Sequence, residues 1–118
     1  MTLSFNAYQK AAASVSQYQG DTGSGVILPV QRVTMLSLGI SGEAGEVSDY
    51  VKKVLYHGHK YDRAKLMEEL GDVLWYVSEG ASAIGVSLSE IAACNVEKLR
   101  KRYPNGWDPK RSQHRDER

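Results

Sequence analysis

The stretch Val33-Thr34-Met35-Leu36-Ser37-Leu38-Gly39-Ile40-Ser41-Gly42-Glu43-Ala44-Gly45-Glu46-Val47-Ser48-Asp49-Tyr50-Val51-Lys52-Lys53-Val54 decides the fold. Its residues Val33, Leu36, Ile40, Ala44, Val47, Val51 and Val54 recur at threes and fours, the spacing of one buried face of a long helix. Pro29 is well placed to open that helix, because its missing N–H costs nothing in a first turn. His57-Gly58 closes it. Downstream, Asp62 can cap a third helix with the stripe Leu66, Leu70, Val73, Val77, Ala81 and Ile84, stopped by Gly85. Ser87-Leu88-Ser89-Glu90 has the form of a capping box opening a fourth, which carries Leu88, Ile91, Val96 and Leu99 and ends by Pro104. Upstream, a first helix is expected over residues 2–18, with Thr2 as N-cap and Leu3, Ala7, Ala11 and Val15 as a modest stripe.

Between the first two helices, residues 19–25 read as a flexible loop, and residues 25–28 are too short a β-prone run to matter. The expected class is therefore all-α, a four-helix bundle in which short connections make helices two, three and four antiparallel neighbours. One domain is expected over residues 1–108, followed by a polar, flexible tail over 109–118.

Composition narrows the function classes. A chain of 118 residues fits one domain and should bury roughly two-thirds of its unfolded surface. Fifteen Lys and Arg against fourteen Asp and Glu leave a net charge of +1, so no global field points to nucleic acid or membrane. No apolar run is long enough to span a bilayer, and the N-terminus lacks the basic and apolar regions of a signal peptide. The single Cys94, in the apolar run Ile91-Ala92-Ala93-Cys94, reads as a buried thiol in a reducing, cytoplasmic setting.

The chemistry lies in an internal echo. Glu43-Ala44-Gly45-Glu46-Val47 on helix two and Glu69-Leu70-Gly71-Asp72-Val73 on helix three share the pattern acid, two residues, acid, apolar. At ~100° per residue, Glu43 and Glu46 stand roughly 75° and 135° to one side of their apolar stripe, and Glu69 and Asp72 take the same offsets from theirs. Antiparallel packing through the stripes lets the four carboxylates converge. Such a cluster repels itself, and Lys65 is the only base at helical spacing from any of the four. Asp49, by contrast, has Lys52 and Lys53 at i+3 and i+4 and looks like an ordinary solvated pair. Oxygen donors without His or Cys suit a hard cation, Mg²⁺ first and Mn²⁺ as a substitute. Gly39, Gly42, Gly45 and Gly71 inside these helices each cost ~1 kcal/mol relative to Ala, so close helix approach or ligand access must offset them.

With these motifs the chain resembles the MazG-like members of the all-α nucleoside triphosphate pyrophosphatase superfamily. The superfamily signature, Glu-x-x-Glu followed after a spacer by Glu-x-x-Asp, is similar to Glu43 to Glu46 and Glu69 to Asp72. The segment Asn95-Val96-Glu97-Lys98-Leu99-Arg100-Lys101-Arg102-Tyr103-Pro104 resembles the family's Asn-x-x-Lys-Leu-x-x-Arg-Tyr-Pro helix end. The resemblance implies Mg²⁺-dependent hydrolysis of an NTP or dNTP to monophosphate and pyrophosphate, with Glu43, Glu46, Glu69 and Asp72 holding the metal. Glu46 or Glu68 is the candidate base. Asn95, Lys98 and Arg102 share one face of helix four and are assigned to the triphosphate, with Lys53 a further candidate. The family's base pocket also draws on the first helix, which nominates Phe5, Tyr8 and Gln9. The resemblance further implies a homodimer or homotetramer with shared active sites.

His57 and His59 lack a third ligand and read as loop residues, and Trp75 reads as a packing or subunit-contact residue. A di-metal oxidase would need His where residues 46 and 72 are acids. A noncatalytic helical module binding nucleotide or protein is the alternative, and it leaves the uncompensated acids unexplained.

Overall fold

The structure, a computed structural model, describes residues 2–18 and 30–114. The loop expected at 19–25, the short run at 25–28 and the opening at Pro29 lie outside the described residues. Five helices are described and no strand: α1 (Phe5–Ala13), α2 (Val30–Tyr56), α3 (Arg63–Ala83), α4 (Leu88–Arg102) and α5 (Pro109–Gln113). The all-α class is thus observed. No described helix is long and apolar enough to cross a membrane.

The helix ends follow local chemistry. Asp62 caps α3 as expected, its Oδ1 accepting from Ala64 N–H at 3.0 Å. Gly85, at φ 74°, stops it. There the N–H groups of Val86 and Gly85 donate to the carbonyls of Ala81 and Ser82, the paired bonds of a Schellman end. Gly58, at φ 72°, stops α2, and the N–H groups of His57 and His59 both donate to Lys53 O. The two histidines therefore form a helix stop. α1 is shorter than expected, because Ser4 rather than Thr2 accepts from Ala7 N–H at 3.1 Å and Ser14 ends the helix with its hydroxyl on Ala11 O.

The chain divides into two compact units, residues 1–88 and 89–118. In the first, α2 and α3 pack antiparallel. Near the turn, Tyr50 Oη accepts from Asp62 N–H at 2.7 Å and donates to Asp62 O at 3.1 Å. Further along, the Tyr76 ring lies where a Cβ on Gly39 would sit. Numbers fall on α2 as they rise on α3. α1 lies along the C-terminal half of α3: Trp75 Nε1 donates to Ala12 O at 3.2 Å. Gln9 Nε2 donates to Ser82 Oγ and Val86 O, while its Oε1 accepts from Leu88 N–H at 2.8 Å.

The core is thin. Ala12, Leu36, Tyr50, Ala81, Ala83 and Leu88 are buried, yet Val33, Ile40, Val51, Leu70 and Ile84 of the expected buried stripes are exposed. Among the described residues, these positions of the long helices are left uncovered.

The second unit departs from expectation in two places. Residues 109–113 form a helix where a tail was expected, because Asp108 caps it through Lys110 N–H and Pro109 fits its first turn. Arg111 anchors it, donating from Nε to Arg102 O at 2.6 Å at the end of α4. Cys94 is exposed rather than buried, as are Ile91, Val96 and Leu99 on the same helix.

Candidate metal centre

The antiparallel register that sets Tyr50 beside Asp62 and Gly39 beside Tyr76 brings the middle of α2 against the first half of α3. That is where the two acid pairs lie. One carboxylate oxygen each from Glu43, Glu69 and Asp72 falls within 4.8 Å of the others. Glu69 is nearly buried, Glu43 half-buried and Asp72 exposed, so the trio runs from the covered side of α3 out to solvent. Glu46 is exposed and stands outside the trio, its charge felt by both Glu43 and Lys53.

Electrostatics mark the trio as short of positive charge. Partial burial holds the Glu43 carboxyl above its ordinary value, and the negative charges of Asp72, Glu69 and Glu46 push it further the same way. Tyr8, on α1, is also raised, first by burial and then by the charge of Asp72. This places Tyr8 within the field of the acids. Gln9 is spent on the α3 turn, and Phe5 is exposed.

The basic residues differ in how free they are. Lys53 Nζ sits 2.9 Å from Asp49 Oδ2, and Lys52 3.1 Å from Asp49 Oδ1, the solvated pair expected from spacing. That bond to Asp49 is also what raises the Lys53 ammonium. Lys65 Nζ is 3.1 Å from Glu69 Oε1 and 3.9 Å from Glu68 Oε2. Asn95, Lys98 and Arg102 belong to the second unit, where they are carried by the continuous helix α4, with Asn95 and Lys98 exposed and Arg102 partly covered. Trp75 is held by its bond to Ala12 O and meets Tyr76 edge to face at 4.9 Å, which is a packing role.

Three carboxylate oxygens converging at this spacing, with no nitrogen or sulfur donor among them, fit a hard divalent cation that keeps several waters. Asp72, the exposed member, is reachable by water. Gly42, Gly45 and Gly71 have nothing within 4 Å of where a Cβ would stand, whereas Gly39 is filled by Tyr76. Close approach thus accounts for one glycine and open space surrounds the other three.

A family model described as the MazG nucleotide pyrophosphohydrolase domain matches residues 31–107. The chain is also similar to the gene 37 protein of Mycobacterium phage L5, at 35% identity over 103 residues, covering 84% of this chain and 88% of that protein. No solved structure matches.

Proposed function

The chain belongs to the MazG nucleotide pyrophosphohydrolase domain family, and on that premise we propose that it hydrolyses nucleoside triphosphates, NTP or dNTP, to a monophosphate and pyrophosphate with Mg²⁺ as cofactor. The observation that carries this is the convergence of Glu43, Glu69 and Asp72 from facing helices. These three would hold the cation, and Glu46, one turn beyond Glu43, would complete the set once a charge draws it in. When bound, Mg²⁺ or Mn²⁺ supplies polarisation of the phosphoryl oxygens and neutralises the charge of the departing group.

The protein's own residues do the rest. A water oxygen joins the α-phosphorus, the bond from that phosphorus to the bridging oxygen of the β-phosphate breaks, and pyrophosphate departs with that oxygen. The proton released by the water passes to a carboxylate, for which Glu46 and Glu68 are both exposed and close to the trio in sequence. Asn95, Lys98 and Arg102 lie on one face of α4, and their donors would bind the triphosphate, the two cations by charge-assisted hydrogen bonds. Lys53 would have to leave Asp49 to join them, which an exposed ion pair allows at little cost.

A homodimer or homotetramer is part of the proposal. Leu38, Leu55, Met67 and Leu70 are each more than half exposed on the two helices that build the site, and a second copy would cover such faces. The test is incubation of the purified chain with each common NTP and dNTP, with Mg²⁺ or with EDTA, and separation of products by anion exchange. Monophosphate plus pyrophosphate, lost in EDTA, is the expected result. Diphosphate plus phosphate would overturn the bond assignment, and no turnover of any nucleotide would favour the noncatalytic binding module.

A further inference from the structure

Lys65 makes the shorter of its two ion pairs to Glu69, the most buried member of the trio. Without a divalent cation the three carboxylates repel one another, and Lys65 is the positive charge placed on one of the carboxylates that a cation would take. Its side chain is 48% exposed, so the ammonium can withdraw into water without disturbing the core. Lys four residues before Glu is the weaker orientation of a helical pair, hence easily broken. A second acceptor is already in reach, since Glu68 Oε2 lies 3.9 Å from the same nitrogen and its side chain is 72% exposed.

We propose that Lys65 is an internal counter-ion, holding Glu69 in the ion-free protein and moving to Glu68 when a divalent cation takes the Glu69 carboxylate. The inference rests on the metal-binding role proposed for the trio. It makes Lys65 a positioning residue that keeps the most buried ligand in place between turnovers. It also predicts that metal binding without nucleotide is opposed by the protein's own lysine.

The experiment measures Mn²⁺ affinity by electron paramagnetic resonance for the wild-type protein and for Lys65→Met, an exposed substitution that leaves the helix and its core face intact. In parallel, the side-chain ¹⁵N resonance of Lys65, identified by its absence from the Lys65→Met spectrum, is followed as Mg²⁺ is added. The expected result is that Lys65→Met binds Mn²⁺ about 1.5- to twofold more tightly, and that the Lys65 resonance moves with the same midpoint as metal binding. If the wild type binds Mn²⁺ but Lys65→Met binds it no better, or the Lys65 resonance stays still, the counter-ion role is overturned while the metal site stands. Failure of the wild type to bind Mn²⁺ at all would overturn both.

Discussion

Glu43 is the residue at which the site's lack of positive charge becomes measurable. Its folded-state value is raised above the ordinary 4.5 by burial and by three neighbouring acids, so the folded protein holds that proton more tightly than the unfolded chain does. The stability this contributes is full below pH ~4.5 and is lost as pH rises through the raised value. The ion-free protein should therefore lose part of its stability over that window in urea titrations, and Glu43→Gln or saturating Mg²⁺ should flatten the slope. An unchanged slope in Glu43→Gln would contradict the electrostatic coupling of the trio. At this scale the sequence was informative about type and spacing but not about sharing of space. The matched offsets of the two acid pairs foretold the convergence of Glu43, Glu69 and Asp72. Nothing in a one-dimensional pattern could show that Glu46 would stand outside the trio, because its position depends on side-chain direction as well as helical angle. Gln9 was equally illegible: a glutamine on an amphipathic helix carries no mark that both its donor and acceptor will be used by a turn more than seventy residues away.

Among the elements, α2 and α3 owe their close packing to one glycine. A Cβ at Gly39 would overlap the Tyr76 ring, so Gly39→Ala should cost about 1–3 kcal/mol by forcing the ring or the helix to move. Gly42→Ala meets nothing within 4 Å and should stabilise the helix by ~0.5–1 kcal/mol through propensity alone. Urea unfolding of the two variants checks both signs, and a loss of stability in Gly42→Ala accompanied by dissociation would place that glycine in a contact between copies. Helix periodicity gave α2 and α3 nearly to their ends, since Asp62, Gly58 and Gly85 act through local geometry that a sequence displays. α1 was overextended at both ends because Thr2 and Ser4 are both competent caps and only the backbone decides between them. α5 was missed because five residues are too few to show a period, although Asp108-Pro109 is a cap followed by a favoured first residue.

At the scale of the whole molecule, apolar stripes that periodicity marks as buried are only partly covered among the described residues. Leu70 is 52% exposed and Ile84 54%, and Ile91, Val96 and Leu99 are open on α4. Sequence pattern reports that a face avoids water and is silent on whether the cover comes from the same chain. Sedimentation should accordingly find a dimer or tetramer of the 13.1 kDa chain, and a monomer at micromolar concentration would contradict the assembly proposed. The claim on which function depends is that three converging carboxylates make pyrophosphate release possible, and it is tested most directly by Mg²⁺-supported pyrophosphate release from the best nucleotide substrate. Glu43→Gln, Glu69→Gln and Asp72→Asn should each lower the rate about 100-fold or more. Glu97→Gln, an exposed acid paired with Lys101 at 3.8 Å, should leave it near the wild-type value. Folded variants of the trio that release pyrophosphate at the wild-type rate would contradict the site.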